Sequence, residues 1–494
     1  MQTKKRTTKI LPTIGISTLG CPKNLVDTEN IVGILHGAGY QITADHTKAD
    51  ISLVNTCTFI EGSTNESKEI LNDLSKQGQK LIITGCMAQR FKGDLFNEFP
   101  NTQAVVGTGN ISDILEVVKK VTSNLNNDKN TKLVKVDEVP MAVASSSTPR
   151  LNTQIGPSAY LKIAEGCDHR CAFCIIPYLR GDMKSRTIED IVTEAKRLVE
   201  SGVKEIVLVS QDSTAYGTDI YKRRALADLL REVADKSGAL WIRLMYAYPT
   251  EMDEEMLEVI STKSNIVKYI DIPLQHASAK VLKLMRRPST VKNTVELIKK
   301  KLPNGTIRTT FVVGFPGETE EDFNELYNFV KESRFDRVGV FTYSKEKGTP
   351  AFDFENQVPE EIKQERRNKI MQLQQKISLE KNQSFIGKEM DMLIEYVEHN
   401  DVGAYHNTPK RVVGRSFRDA PEIDGQLYID LEETDVIPTK VGIQKSKSSV
   451  SGFPRLVSAE AEQAVKPGMT IQPGEFVKVK IIDCDEYDLF CKLL

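Results

Sequence analysis

Short apolar runs alternate with amphipathic stretches from residue 14 onward. The run IGISTLG is followed by a helical pattern from Asn24 to His36, and then by the apolar runs ISLVNT and KLIITG. Apolar runs of this length predict buried strands, whereas apolar positions three or four residues apart predict helices. A strand, a helix and two further strands in this order indicate a parallel α/β unit at the start of the chain.

A second alternation covers residues 160–344. Its apolar runs are separated by helical stretches such as TIEDIVTEAKRLVESG, and the predicted strands are YLKIA, KEIVLVS, WIRLMY, VKYIDIPL, TIRTTFVVG and RVGVFTY. Six strand–helix repeats suggest a partial (β/α) barrel. Such barrels carry their chemistry at the carboxyl ends of the strands, so the functional residues are expected in the loops that follow them.

The pattern changes again after residue 358. A charged segment predicts a helical bridge, and runs such as IGKEMDMLIEYVE and RVVGRSF predict the short strands of a small β-barrel. The Ser- and Lys-rich stretch from Lys445 to Ser451 predicts a disordered insertion in that barrel.

The predicted fold class is therefore α/β, with a parallel-sheet N-terminal domain, a partial (β/α) barrel and a small C-terminal β-barrel. The predicted boundaries are 10–122 for the N-terminal domain, 123–157 for a linker, 158–358 for the partial barrel, 359–383 for the helical bridge and 384–494 for the C-terminal barrel, with an insertion near 437–468.

Composition narrows the classes of function. With 66 basic and 68 acidic residues the formal net charge is -2, which argues against a chain that coats nucleic acid through overall positive potential. No run approaches the roughly 20 apolar residues that cross a bilayer, so no membrane partner is expected. Eight cysteines in 494 residues are too few for a disulfide scaffold. Their clustering indicates metal ligation in a reducing compartment, by default the cytoplasm.

Three cysteines, Cys167, Cys171 and Cys174, follow the first barrel strand in C-x3-C-x2-C spacing. Thiolates suit an iron–sulfur cluster, and a four-iron cluster normally takes four cysteines. The next cysteine is Cys484, so one iron would lack a protein ligand, and an open coordination position is typical of catalytic metal sites. The alternative is zinc with His169 as the fourth ligand, although its position between two of the cysteines fits no usual zinc arrangement.

A second set of cysteines, Cys21, Cys57 and Cys86, lies in the N-terminal domain, each directly after a predicted strand. The carboxyl ends of parallel strands form the edge where such sheets bind ligands. A single cysteine in an apolar segment is usually a buried small residue. Three at equivalent strand ends favour a second three-cysteine cluster with its own open iron.

The first of these motifs, with Phe173 immediately before Cys174, resembles the signature of the radical S-adenosylmethionine enzymes. The resemblance implies that the open iron binds the amino and carboxylate groups of S-adenosylmethionine. An electron from the cluster then cleaves this molecule to a 5′-deoxyadenosyl radical. In such enzymes the cofactor carries the difficult step, and the protein supplies position and shelter.

Two open clusters in one chain resemble the methylthiotransferases, a branch of these enzymes that inserts sulfur and a methyl group into a C–H bond. The order of domains is also similar, ending in a barrel called the TRAM domain, and the resemblance runs from about Ile14 to Leu489. It implies two 4Fe-4S clusters and two uses of S-adenosylmethionine: one molecule methylates sulfur on the auxiliary cluster, and another generates the radical. By matching positions, the radical cluster is assigned to Cys167, Cys171 and Cys174, and the sulfur-donating cluster to Cys21, Cys57 and Cys86.

The motifs STLGCPKNLVDTE, DIPLQHAS and FVVGFPGETEEDF are similar to the branch that methylthiolates the β-carbon of an aspartate in protein twelve of the small ribosomal subunit. The alternative is the branch acting on modified adenosine in transfer RNA, which has a phrase closer to T-x-G-C-Q-M-N at the first cysteine. The implied partners are the ribosomal protein or subunit, RNA touched by the TRAM domain, and an electron donor that the sequence does not identify. A third hypothesis, a non-enzymatic electron carrier, would need four ligands for each cluster.

Three further residues are predicted to bind the cofactor. Phe173 is expected to pack near the adenine, while Gly314 and Gln275 lie in turns that follow two barrel strands. Structural explanations compete with each assignment, because a Gly- and Pro-rich turn such as Gly314–Glu318 punctuates any strand-to-helix connection. His276 is interpreted as structural, and Asp212 either contacts the cofactor or caps the next segment. No catalytic base is assigned.

Overall fold

The computed structural model describes residues 11–126, 132–139, 143–154, 156–400, 408–431, 464–466 and 469–494. The predicted disordered stretch from Lys445 to Ser451 lies outside these residues.

The N-terminal domain is a six-stranded parallel sheet covered by helices. Its strands, in spatial order, are Gln41–Thr43, Thr13–Thr18, Ile51–Thr56, Leu81–Gly85, Thr102–Val106 and Leu133–Lys135. Its longer helices are Pro22–Gly37, Glu61–Lys76 and Ile114–Asn126, and its short helical turns are His46–Lys48, Cys86–Phe91, Lys92–Asp94, Leu95–Glu98 and Ile111–Asp113. The strands and helices predicted for this domain are present, and their apolar side chains form its core.

The segment at 123–157 differs from the predicted linker. The helix Ile114–Asn126 runs into it, and Leu133–Lys135 then pairs in parallel with Thr102–Val106 as an edge strand. Only Leu133 of this strand packs against the domain core, whereas Val134 is 52% exposed. A three-residue edge strand with one inward side chain lacks the repeated apolar alternation on which a strand prediction depends.

The central domain has the six predicted strands, each paired in parallel with the next. They are Ser158–Lys162, Glu205–Val209, Trp241–Leu244, Ile266–Asp271, Thr306–Val313 and Arg337–Thr342. The helices are Ile176–Arg180, Ile188–Glu200, Leu226–Lys236, Glu254–Thr262, Ala279–Leu284, Val291–Lys301 and Glu320–Ser333, with short turns at Pro249–Glu251 and Pro350–Asp353. A small hairpin joins Ala164–Glu165 to Lys184–Ser185. The first and last strands are the two edges of this sheet, which confirms a partial barrel.

The predicted bridge is the helix Glu360–Gln383. It leads to a closed five-stranded barrel whose order is Glu389–Asn400, Thr408–Arg415, Leu427–Asp430, Leu489–Leu493 and Phe476–Cys484, with a separate pair Ala464–Lys466 and Met469–Thr470. Cys484 and Cys491 both belong to this barrel. None of the helices in the described ranges is long and apolar enough to cross a membrane.

The two flanking domains cover opposite ends of the partial barrel. Arg415 of the C-terminal barrel is buried against Glu205, the first residue of its strand, with Nη2 2.6 Å from Oε2. Lys162, the last residue of its strand, forms an ion pair with Asp27 on the N-terminal helix Pro22–Gly37. The N-terminal domain therefore faces the carboxyl ends of the strands, where the chemistry of such barrels takes place.

Candidate active site between two cysteine triads

The radical triad, defined as Cys167, Cys171 and Cys174, lies in the loop after the first barrel strand. The loop is fixed by backbone bonds: Cys167 N donates to Gly181 O at 3.0 Å and Cys174 N to Cys171 O at 3.1 Å. Gly166 has φ +76°, and a Cβ there would lie 2.1 Å from Asp182 O. Only glycine therefore allows the chain to turn into the triad at this point.

The radical triad is partly shielded from solvent, with Cys171 buried and Cys167 and Cys174 partly exposed. Burial, together with the neighbouring Cys171, raises the pKa of Cys167 and of Cys174 to about 12. Such thiols stay protonated until a metal displaces the proton, since thiolates are the ligands of iron–sulfur clusters. Arg287 Nη1 lies 3.9 Å from Cys171 Sγ, which supplies a positive charge beside the ligands of an anionic cluster. The donor chemistry of the loop therefore fits the predicted cluster.

His169, the fourth ligand in the zinc alternative, is engaged elsewhere. Its Nε2 lies 2.7 Å from Asp212 Oδ2, and its ring stacks on Tyr248 with ring centroids 3.6 Å apart. Within the part of the chain that the structure describes, no group of three or more His, Cys, Asp or Glu side chains is arranged around a single metal ion. Because His169 Nε2 is already bonded to Asp212, it is poorly placed to act as the fourth zinc ligand.

The auxiliary triad, defined as Cys21, Cys57 and Cys86, follows three neighbouring strands of the N-terminal sheet, Thr13–Thr18, Ile51–Thr56 and Leu81–Gly85. The contact between the first two loops is close, because a Cβ on Gly20 would lie 2.8 Å from Cys57 Sγ. The third cysteine opens the short helix Cys86–Phe91. The sheet order therefore brings the three residues to one edge, as the sequence predicts.

The three auxiliary thiols differ in their electrostatics. Burial raises the pKa of Cys86 to about 12, against the opposing charge of Arg180, whose Nη2 lies 3.7 Å from Cys86 Sγ. Burial also acts to raise the pKa of Cys21, but Lys23 and Arg180 together hold that pKa below its ordinary value. Cys21 is half-exposed while Cys57 and Cys86 are buried. The most accessible of these cysteines is thus the one most easily ionised.

A buried ion network, defined as Asp27, Lys162, Glu165 and Arg180, joins the two triads. Lys162 bridges Asp27 and Glu165, and Arg180 Nη1 lies 2.8 Å from Glu165 Oε1 and 3.3 Å from Asp27 Oδ2. Two cations and two carboxylates alternate, so each buried charge is compensated by charges of the opposite sign. The network spans the interface of two domains and connects the parts of the chain that carry the two triads.

Apolar packing also holds the N-terminal domain against the segment that follows the radical triad. Cys86 shares a buried cluster with Ile175 and Leu179, which follow the last radical cysteine. Thr108 of the N-terminal domain donates its hydroxyl to Leu179 O at 2.8 Å.

Sequence reasoning missed the ion network because its members are far apart in the chain. The available signal was the number of polar and charged residues, among them Asn24, Asp27 and Glu29, in a helix that must pack against a sheet.

The predicted cofactor residues all lie at the carboxyl ends of barrel strands or in the radical loop. Phe173 is half-buried and meets Phe315 edge-on, with ring centroids 6.4 Å apart. Gln275 has φ +71°, and its backbone pairs with Thr310 and Val312 of the next strand. Their contact with S-adenosylmethionine remains a prediction.

Gly314 has a structural reason to be glycine. Its φ is +73°, and a Cβ would lie 2.2 Å from Lys363 Cγ on the bridging helix. Its N–H donates to Glu318 Oε2 at 2.7 Å. The turn Gly314–Glu318 is thus a folded unit that the bridging helix covers, and a cofactor contact there also remains a prediction.

His276 and Glu318 form a buried pair beneath this turn. His276 Nδ1 accepts from Ser278 N at 3.0 Å, and its Nε2 lies 3.7 Å from Glu318 Oε2. Burial lowers the pKa of His276 to about 3 and raises the pKa of Glu318 to about 7. A neutral histidine with no exposed surface agrees with the structural interpretation. Asp212 acts as a cap, since its Oδ1 accepts from Thr214 N at 2.9 Å.

Family models match all three domains. The Radical SAM superfamily matches residues 161–330, the family described as Uncharacterized protein family UPF0004 matches residues 13–107, and the TRAM domain matches residues 386–447. The solved structure of the radical S-adenosylmethionine methyltransferase TsrM from Kitasatospora setae is similar in fold, with a TM-score of 0.50 and 14% identity over 69% of this chain and 77% of that one. Fold and site together define a radical S-adenosylmethionine enzyme.

The relatives narrow the class. The ribosomal protein uS12 methylthiotransferase RimO of Acetivibrio thermocellus is 41% identical over 489 residues, which is 97% of this chain and 98% of its own length. The protein of the same name from Crocosphaera subtropica is 46% identical over 435 residues, which is 87% of this chain and 96% of its own length. The chain belongs to the family of ribosomal protein uS12 methylthiotransferases RimO. Of the two branches considered from the sequence, the ribosomal one is confirmed.

Proposed function

We propose that this protein methylthiolates the β-carbon of an aspartate in ribosomal protein uS12. The observation that carries the proposal is the joining of two cysteine triads across one domain interface, through Cys86, Arg180 and Glu165. A reaction that transfers a methylthio group to a carbon radical requires the sulfur donor and the radical source to reach the same substrate atom. When bound, two 4Fe-4S clusters and S-adenosylmethionine supply the radical that removes hydrogen and the methylthio group that replaces it.

The residues of the chain provide position and shelter for this chemistry. The radical triad would hold the cluster that binds S-adenosylmethionine, and the auxiliary triad would hold the cluster that donates sulfur. The buried ion network helps to hold the two domains together, because Asp27 finds its cations, Lys162 and Arg180, only when the domains are docked.

The proposed partners follow from the family and the fold. The substrate is uS12, free or within the small ribosomal subunit, and the closed C-terminal barrel is proposed to touch ribosomal RNA. Tyr396 on that barrel is 39% exposed, and Arg411 stands 4.9 Å from the Tyr428 ring, which offers aromatic and cationic groups to bases and phosphates. An electron donor is also required, and we propose that the protein works in the cytoplasm, where free thiols are maintained.

The test compares uS12 from cells with and without this protein by mass spectrometry of its peptides. We expect one aspartate-containing peptide to lose the mass of a methylthio group when the protein is absent, and to regain it when the gene is restored. A restored copy with the radical triad changed to alanine is the matched control and should leave uS12 unmodified. Unchanged uS12 together with a lost methylthio group on transfer RNA adenosine would contradict the proposal.

A further inference from the structure

Lys23 is a buried cation without a carboxylate partner. It is 7% exposed, and its Nζ donates to Ser210 O at 3.3 Å. Among the described residues, no carboxylate oxygen lies within ion-pair distance of this nitrogen, in contrast to the neighbouring Lys162, which has two such partners. Burying an ammonium is unfavourable unless an anion compensates it. Within the chain, the charge that favours this ammonium most is that of the Cys21 thiolate, so the position can receive the negative charge of the auxiliary cluster on one side and a ligand carboxylate on the other.

The position of Lys23 is fixed by the barrel. Its Nζ stands 3.6 Å from the centroid of the Tyr246 ring, in a cation–π contact. Tyr246 itself has φ +63°, a conformation that a bulky residue rarely adopts, and its N–H is held by Asp271 Oδ2 at 3.0 Å. Strained residues of this kind cluster at functional sites, where the surrounding structure enforces them. Lys23 is therefore held in place before any ligand arrives.

Lys23 also lies where the N-terminal domain meets the carboxyl ends of the barrel strands. It is two residues after Cys21 and contacts Ser210 and Tyr246, which follow the second and third barrel strands. Cys21, Cys167 and Cys174 are the partly exposed members of the two triads. An ammonium two residues from Cys21 would lie close to a substrate atom that reaches the auxiliary cluster.

Gln211 gives a second, independent sign of a ligand. Its Nε2 donates to Glu165 Oε1 at 2.7 Å, while its Oε1 is buried and has no hydrogen-bond partner. Gln211 is next in the chain to Ser210, which binds Lys23. An unpartnered acceptor beside an unpaired cation matches a peptide segment, which presents a backbone N–H together with an acidic side chain.

We propose that Lys23 binds the carboxylate of the target side chain and thereby selects an acidic residue of a peptide substrate, with Gln211 Oε1 accepting an N–H of the same segment. This assignment rests on the proposed function and names its specificity-determining residue. The ammonium would orient the side chain through its terminal carboxylate, which leaves the adjacent β-carbon free for hydrogen removal. A neutral nucleobase offers no anion for this position.

The test uses reconstituted holoenzyme with uS12, and with a uS12 variant in which the modified aspartate is asparagine. Lys23→Met keeps the length of the side chain and removes the charge. We expect Lys23→Met to raise the KM for the aspartate substrate by roughly 30-fold or more, the effect of losing one partner of a buried charge pair. We also expect the preference for aspartate over asparagine to fall to within a few-fold.

Lys299→Met is the matched control, because Lys299 donates to a backbone carbonyl, Ser333 O, on the outer face of the barrel. It should leave both KM and preference unchanged. Iron content and formation of 5′-deoxyadenosine are measured for every variant and should equal those of the unmodified chain. An unchanged KM and preference in Lys23→Met, or loss of half its iron, would overturn the assignment. If the unmodified chain cleaves S-adenosylmethionine but leaves uS12 untouched, the proposed function itself fails.

Discussion

The radical triad and the auxiliary triad each present three thiols, but the chain brings the three together in opposite ways. The radical triad lies within eight residues of one loop and is fixed by backbone bonds such as Cys167 N to Gly181 O. The auxiliary triad is drawn from three strand ends spread over residues 21–86 and is fixed by the order of a whole sheet. A local motif survives changes elsewhere in its domain, whereas a distributed one depends on every strand that carries it.

The difference also separates the two environments. The radical triad lies beside Arg287 and the stacked pair of His169 and Tyr248, within the barrel domain itself. The auxiliary triad reaches into a neighbouring domain for its cation, Arg180. The sulfur donor thus depends on domain docking, and the radical source does not.

The largest effect is expected from removing each triad in turn. With Cys167, Cys171 and Cys174 changed to alanine, we expect about eight irons per chain to fall to about four, the content of one cluster instead of two, with loss of 5′-deoxyadenosine formation. With Cys21, Cys57 and Cys86 changed, we expect the same fall in iron, but 5′-deoxyadenosine formation should persist while methylthio transfer is lost.

Iron and acid-labile sulfide after anaerobic reconstitution are the measurement, and Cys484→Ala is the control that should keep all the iron. Loss of every iron in the first variant would mean that the auxiliary triad does not hold a cluster. Zinc in place of iron would contradict both assignments.

The next effect concerns the cation shared between the domains. Arg180→Met leaves Asp27 and Glu165 with Lys162 as their only strong partner, and removing one member of a buried ion network costs about 3–5 kcal/mol. We expect the urea midpoint to fall and auxiliary iron to be lost before radical iron. Arg180→Lys should recover part of the stability, and a change below about 1 kcal/mol would show that the network does not hold the domains together.

A third prediction concerns how the stability of the barrel domain, which carries the radical triad, depends on pH. Because the folded pKa of His276 is lowered to about 3, its contribution to stability is present above the unfolded pKa and is lost as the pH falls from about 6.5. Between pH 6.5 and 5 the unmodified chain should lose about 1.6 kcal/mol relative to His276→Gln, since each full pH unit below the unfolded pKa is worth about 1.4 kcal/mol. Urea unfolding of both proteins at the two pH values gives the difference.

Glu318 acts in the opposite direction, because its raised pKa makes the folded state lose stability as pH rises towards about 7. The comparison of His276→Gln with the unmodified chain cancels this contribution to a first approximation. Equal pH dependence in the two proteins would mean that the histidine is not buried in its neutral form.

The smallest effect is expected from single glycines. Gly20→Ala and Gly166→Ala each place an L side chain at positive φ, which costs roughly 1–2 kcal/mol, and each adds a close contact beside one triad. We expect Gly20→Ala to lower auxiliary iron only and Gly166→Ala to lower radical iron only. Gly78→Ala, at φ +77° with open space around it, carries the strain without the contact and should keep full iron. Equal iron loss in all three would remove the distinction between the two sites.

The amino-acid sequence predicted those features that repeat within a short stretch of chain. The six barrel strands and the strand Ile51–Thr56 were evident from apolar runs, and the radical triad from the spacing of three cysteines in one loop. The auxiliary triad required one further step, the rule that parallel strands end at a common edge, and the order of the strands agrees with it. The binding of iron by either triad stays a prediction until it is measured.

Features that depend on residues far apart in the chain were decided by the tertiary structure alone. Lys162 pairs with Asp27, 135 positions away, and Lys23 donates to Ser210, 187 positions away. Neither the periodicity of the sequence nor the spacing of its motifs predicts these two contacts. The sequence shows that both lysines exist, but a charge has no local signature of burial. The domain interface places Lys162 in a compensated ion network, whereas Lys23 has no carboxylate partner among the described residues. Local periodicity fixes which segments fold into strands and helices, whereas the desolvation of a charge, and hence its role, is set only when distant segments pack together.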